Sequence, residues 1–133
     1  MPSSSSSSVR VRYLDKVAVV AALRDLAAAV GAARPEVLEI RLFGSLARGE
    51  RNPWADADWL VVLEQSDLPV RDRPPLYKPI GSPVPMDLTV CTREELEREL
   101  AAGNRFVTRI MSESAVLYAR PASGPEPTGT VAA

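Results

Sequence analysis

Leu42-Phe43-Gly44-Ser45-Leu46-Ala47-Arg48-Gly49, then a short polar turn, then Ala55-Asp56-Ala57-Asp58-Trp59-Leu60-Val61-Val62: this stretch decides how the chain reads. Ten residues separate the Gly44-Ser45 pair from Asp56, and the two aspartates alternate around Ala57. At background frequencies of roughly five to seven per cent for each of the four fixed residues, a chain of this length meets the pattern by accident on the order of once in a thousand. The apolar run Val37 to Phe43 ahead of the glycine reads as a strand, followed by a turn and a short helix. Asn52-Pro53 marks the turn before a second strand that carries the aspartates and runs through Leu63.

Side chains of a strand alternate faces, so Asp56 and Asp58 project from one side with Cα atoms roughly 6.6 Å apart, while Ala57 points the other way. Like charges held that close raise one another's pKa unless a cation neutralises them, and oxygen-only ligands suit Mg²⁺ or Mn²⁺. The chain has 0 histidines, which removes the commonest ligand of zinc, copper and nickel. Paired Mg²⁺ ions want a third acid. Asp87, within the strand-like run Val84-Pro85-Met86-Asp87-Leu88-Thr89-Val90-Cys91, is the candidate. It reads as an acid embedded among apolar residues, and if its strand pairs beside the Asp56 strand it completes a three-carboxylate cluster and either ligates the catalytic ion or accepts the proton of an attacking hydroxyl. Gly44 permits close backbone approach to an anion, Ser45 adds a hydroxyl donor, and Arg48 or Arg51 lies within reach of a triphosphate, with Arg48 favoured because it sits inside the turn. Taken singly, each feature has a bland reading: an ordinary turn, a charged edge strand, a loop-capping acid. Their joint occurrence at this spacing argues for a nucleotide and metal site.

A chain of 133 residues holds one core. With 16 basic and 17 acidic side chains it lacks the basic excess of a distributed nucleic-acid binder, so no broad nucleic-acid binding is expected. The single cysteine, Cys91, excludes an internal disulfide and a cysteine zinc cluster, and reads as a small buried hydrophobe. No run approaches the roughly 18 apolar residues of a membrane span. These features together fit a cytoplasmic setting.

The expected organisation is a Ser-rich flexible tail over residues 1–12, a folded domain over 13–119 and a flexible tail over 120–133. A helical pattern over Leu14 to Ala33 opens the domain and closes near Gly31 and Pro35. The proline-rich stretch from 65 to 84 reads as a structural excursion, with a mobile loop or a partner surface as the alternatives. Thr92-Arg93-Glu94-Glu95 is a capping box opening a helix through Leu100, ended at Gly103. A short helix follows Asn104, and Ala115 to Tyr118 forms a final strand. The fold class is α/β (α+β): a single domain with a mixed β-sheet flanked by helices.

The segment from Leu42 to Val62 resembles the signature of the nucleotidyltransferase superfamily related to DNA polymerase beta, especially its minimal single-domain (MNT-type) members, whose Ala-Arg-Gly tripeptide is matched by Ala47-Arg48-Gly49. The resemblance implies a nucleotidyltransferase-like fold. It also implies phosphate binding at Gly44 and Ser45, and two Mg²⁺ (or Mn²⁺) ions on Asp56, Asp58 and Asp87. By resemblance, the activity is transfer of AMP from ATP, or of another NTP's nucleoside monophosphate, to an acceptor hydroxyl. The acceptor it implies is a tyrosine of a small helical HEPN toxin, with this chain as the antitoxin. Two positions depart from the signature: Ala55, commonly serine, and Trp59, commonly aliphatic. Two other functions compete. One is an antitoxin-type module, catalytically weak or inactive, that neutralises its partner by complex formation. The other is a transferase acting on an aminoglycoside-like hydroxyl, which at this length needs a homo-oligomer cleft.

Overall fold

A computed structural model describes residues 16–49 and 56–121. The tail expected over 1–12, residues 122–133 of the tail expected over 120–133, the Asn52-Pro53 turn, Arg51 and Ala55 lie outside the described residues. The elements are α1 (Lys16–Ala33), β1 (Val37–Phe43), α2 (Ser45–Arg48), β2 (Ala57–Leu63), a 3₁₀ turn (Val70–Asp72), α3 (Pro74–Tyr77), β3 (Met86–Thr92), α4 (Arg93–Ala101), α5 (Arg105–Glu113) and β4 (Ala115–Ala119). The described strands form one mixed sheet in the order β3-β2-β1-β4, antiparallel except for the parallel β2–β3 pair.

β2 is central, and its apolar run is buried on both faces. Ala57, Trp59, Val61 and Leu63 face α1, packing with Leu23 and Ala27. Leu60 and Val62 face the opposite layer, packing with Leu96 of α4 and Ile110 of α5. The parity of the strand therefore assigns Asp58 to the α4/α5 side and Trp59 to the α1 side. Trp59 is wholly buried behind the sheet, its indole N–H without a hydrogen-bond partner among the described residues, and nothing in the structure explains an indole where an aliphatic residue is commoner.

Parallel neighbours need a crossover, and residues 64–85 supply it. Two side chains anchor this stretch, in agreement with its reading as a structural excursion. Arg73, 4% exposed, donates to the carbonyls of Leu68 (2.9 Å) and Val90 (3.3 Å) and to both carboxylate oxygens of Glu95 (2.7 and 3.1 Å). Tyr77 enters the α1-side core, and its hydroxyl donates to Glu36 at 2.6 Å. Burial, with this hydrogen bond to Glu36, pushes the Tyr77 phenol up to about 12.

Thr92 caps α4 through the expected capping box: its hydroxyl accepts from the amide of Glu95, whose carboxylate accepts in return from the amide of Thr92. The side chain of Asn104 accepts from the amide of Val107 to start α5. No helix among the described residues is long and apolar enough to cross a membrane.

Candidate active site

The end of β1 and the starts of β2 and β3 lie at one edge of the sheet, because β1 runs antiparallel to β2 and β2 parallel to β3. Phe43, the last residue of β1, is in register with Asp58, and Asp58 is in register with Asp87 of β3. Residues in register on adjacent strands share a face, so the crossover joins two carboxylates that are far apart in the sequence. The chain then leaves β1 at Gly44, whose φ of 82° and ψ of −160° belong to a region open essentially to glycine alone. A Cβ at Gly44 would collide with the Asp58 carboxylate, so the bare backbone of the turn lies directly against that acid. Ser45 opens α2 half-buried, and Arg48 closes it.

Asp56 is exposed and stands one residue ahead of the first ladder position, Ala57, so strand pairing does not hold it. Asp87 is exposed rather than embedded. The apolar residues around it belong to the opposite parity: Leu88 and Val90 face the α1-side core, leaving Asp87 on the open part of the α4/α5 side. The Asp58 carboxyl is raised above the usual range, first by burial, then by the negative charges of Asp87 and Asp56, with Arg48 pulling the other way. Such a group is stabilised by a bound cation.

The donor set consists of carboxylate oxygens alone, the chemistry that suits Mg²⁺ or Mn²⁺. Among the described residues no three ligating side chains already converge into an ion cage, and Asp58 with Asp87 is the pair that strand register brings together. Cys91 offers no alternative nucleophile, since burial pushes its thiol up to about 11.

The Leu23 to Leu117 region, residues 23–117, matches the model of the nucleotidyltransferase domain family. The chain belongs to that family. Nucleotidyl transfer is the family's general chemistry, and its domains generally use divalent metals. A crystal structure of a Sulfolobus solfataricus protein, provisionally described as a nucleotidyltransferase, superposes with a TM-score of 0.59 over 82% of this chain and 87% of the other, at 20% identity. At that identity the likeness speaks for the fold. No curated protein matches the sequence.

Within this nucleotidyltransferase fold the structure also adds residues that the sequence did not single out. Glu113, at the end of α5, accepts from Arg48 at 3.4 Å and from Arg109 at 3.2 Å. Arg109 and Glu113 share the i,i+4 spacing visible in any helix. Nothing local connects Glu113 to Arg48, which lies 65 positions earlier.

Proposed function

We propose that this nucleotidyltransferase moves AMP from ATP to a hydroxyl of a protein acceptor, with Asp56, Asp58 and Asp87 holding divalent metal and Gly44, Ser45 and Arg48 receiving the triphosphate. The observation that carries the reading is the register of Asp58 with Asp87 beside the bare backbone of Gly44. Bound divalent cations supply charge neutralisation at the phosphates and at the entering and leaving oxygens. The residues do the rest. The Gly44 turn admits phosphate oxygens where a side chain would block them, and Ser45 donates its hydroxyl. Arg48, oriented by Glu113, adds positive charge at the phosphate end. Asp87, exposed beside Asp58, accepts the proton of the acceptor hydroxyl as that oxygen attacks the α-phosphorus; the bond to the bridging oxygen breaks and pyrophosphate leaves.

The acceptor we favour is a tyrosine of a small helical HEPN partner, in a cytoplasmic toxin and antitoxin pair. The test is mass spectrometry of such a partner after mixing with this protein, ATP and Mg²⁺. A gain of one AMP, absent with the Asp56→Asn/Asp58→Asn variant, supports the reading; no gain removes that acceptor. Calorimetric titration of ATP with Mg²⁺ tests the donor side separately. A variant that still neutralises the partner after losing ATP binding would replace catalysis with neutralisation by complex formation.

A further inference from the structure

Phe106 is a large apolar side chain left 58% exposed on α5, although the same helix buries Ile110. Its ring meets Phe43 edge to face, with centroids 6.2 Å apart and planes at 84°, so the last residue of β1 orients it. Between them lies a cleft of about 230 Å³ bounded by Gly44 and by the arginines Arg48 and Arg109, both paired to Glu113. That volume falls short of the few hundred Å³ typical of a pocket for a whole drug-sized ligand, and it accommodates one flat heterocycle with water. Gly44 belongs to this cleft and also lies against the Asp58 carboxylate, so the cleft begins where the carboxylate edge ends.

We propose that this cleft receives the base of the donor nucleotide, with Phe106 as the stacking surface and the Arg109–Glu113 pair as its polar edge, while Gly44 and Arg48 mark the end at which the phosphates lie. The inference rests on the donor site proposed above and names the residues that hold its base. Phe43 is in register with Asp58 on the same face, so the aromatic pair stands next to the Gly44 turn, within one nucleotide's reach of phosphates bound there. An aromatic face beside fixed guanidinium groups is the surface on which heterocyclic bases stack. A second groove, about 340 Å³ and lined in part by Leu60, Cys91 and Leu96, shares Phe106 and Ile110 with the first but includes neither Gly44 nor Arg48, so it is not continuous with the phosphate end.

The experiment is calorimetric titration of Mg²⁺ with ATP, and of Mg²⁺ with inorganic tripolyphosphate, into the wild type, Phe106→Ala and Phe106→Trp. Stacking is worth about 1–3 kcal/mol per base, so Phe106→Ala should weaken ATP about 5- to 150-fold, leave tripolyphosphate unchanged, and be rescued by Phe106→Trp. Unchanged melting temperatures control for folding, which the exposure of the ring makes tolerant of truncation. Parallel weakening of both ligands, or no weakening of ATP, overturns the assignment while leaving the donor site standing. So does a wild type that binds tripolyphosphate as tightly as ATP. A wild type that binds neither ligand overturns the donor site itself, and this subsite with it.

Discussion

Replacing Arg73 by methionine tests whether the crossover that brings Asp87 to Asp58 depends on one buried guanidinium. Methionine keeps an apolar stem and removes four hydrogen bonds: to Leu68 O, Val90 O and the two oxygens of Glu95. Breaking a buried charge pair by deleting one partner costs about 3–5 kcal/mol. Glu95, with 31% of its side chain exposed, regains some hydration, which lowers the expectation to about 2–4 kcal/mol at pH 7. The pH dependence is a second arm. Arg73 beside Glu95 holds that carboxyl down at about 2, against an ordinary 4.5. A depressed carboxyl stabilises the fold fully above its unfolded value and loses that contribution as pH falls from about 4.5 through about 2. The separation corresponds to about 3 kcal/mol at most, reduced to about 2 by the exposure of Glu95. Urea unfolding of both proteins at pH 7 and pH 3 should therefore show the destabilisation of Arg73→Met shrinking toward acid, with unchanged slope in denaturant. A difference under about 0.5 kcal/mol at pH 7, or one that stays constant down to pH 3, would refute the anchoring role.

Four further outcomes follow from the same geometry. Gly44→Ala places a side chain against Asp58 at a glycine-only backbone conformation, so it should cost about 1–3 kcal/mol in thermal unfolding and weaken ATP binding by more than tenfold; wild-type affinity would contradict the close approach. Asp58→Asn should leave the melting temperature unchanged or raised at neutral pH, because burial and neighbouring charges already disfavour its ionised form, yet abolish Mg²⁺-dependent stabilisation by ATP. Tyr77→Phe removes the hydrogen bond to Glu36 and should lower stability by about 1–2 kcal/mol; in the wild type, ultraviolet titration should find this tyrosine ionising only near pH 12. Cys91, its thiol pushed up to about 11, carries about a hundredfold less thiolate at pH 7 than an ordinary cysteine, so iodoacetamide should modify it far more slowly in the folded protein than in urea.

Much of the molecule was legible along the chain because the signals are local. The strand over Val37 to Phe43, the short helix after Gly44, the Thr92 capping box and the Asn104 start of α5 each depend on residues a few positions apart. The apolar run from Trp59 to Leu63 read as a strand, while its burial on both faces came from the structure. The spacing of Gly44, Ser45, Asp56 and Asp58 is itself a sequence property, and it was enough to point to the family that the domain comparison then established.

What tertiary structure decided is which distant segments meet. Asp87 was placed from strand pattern alone, and its exposure follows from the parity of β3 against a core that lies on one side only at that end. Its register with Asp58 depends on β3 adding parallel to β2 after a crossover held by Arg73 and Tyr77, contacts between residues 22 and 41 positions apart. The pairing of Arg48 with Glu113, and the Phe43–Phe106 contact that shapes the cleft beside Gly44, likewise join segments more than 60 positions apart. Spacing along the chain is covalent and can be read directly, whereas these meetings are selected by burial and strand register across the whole core, which no local window contains.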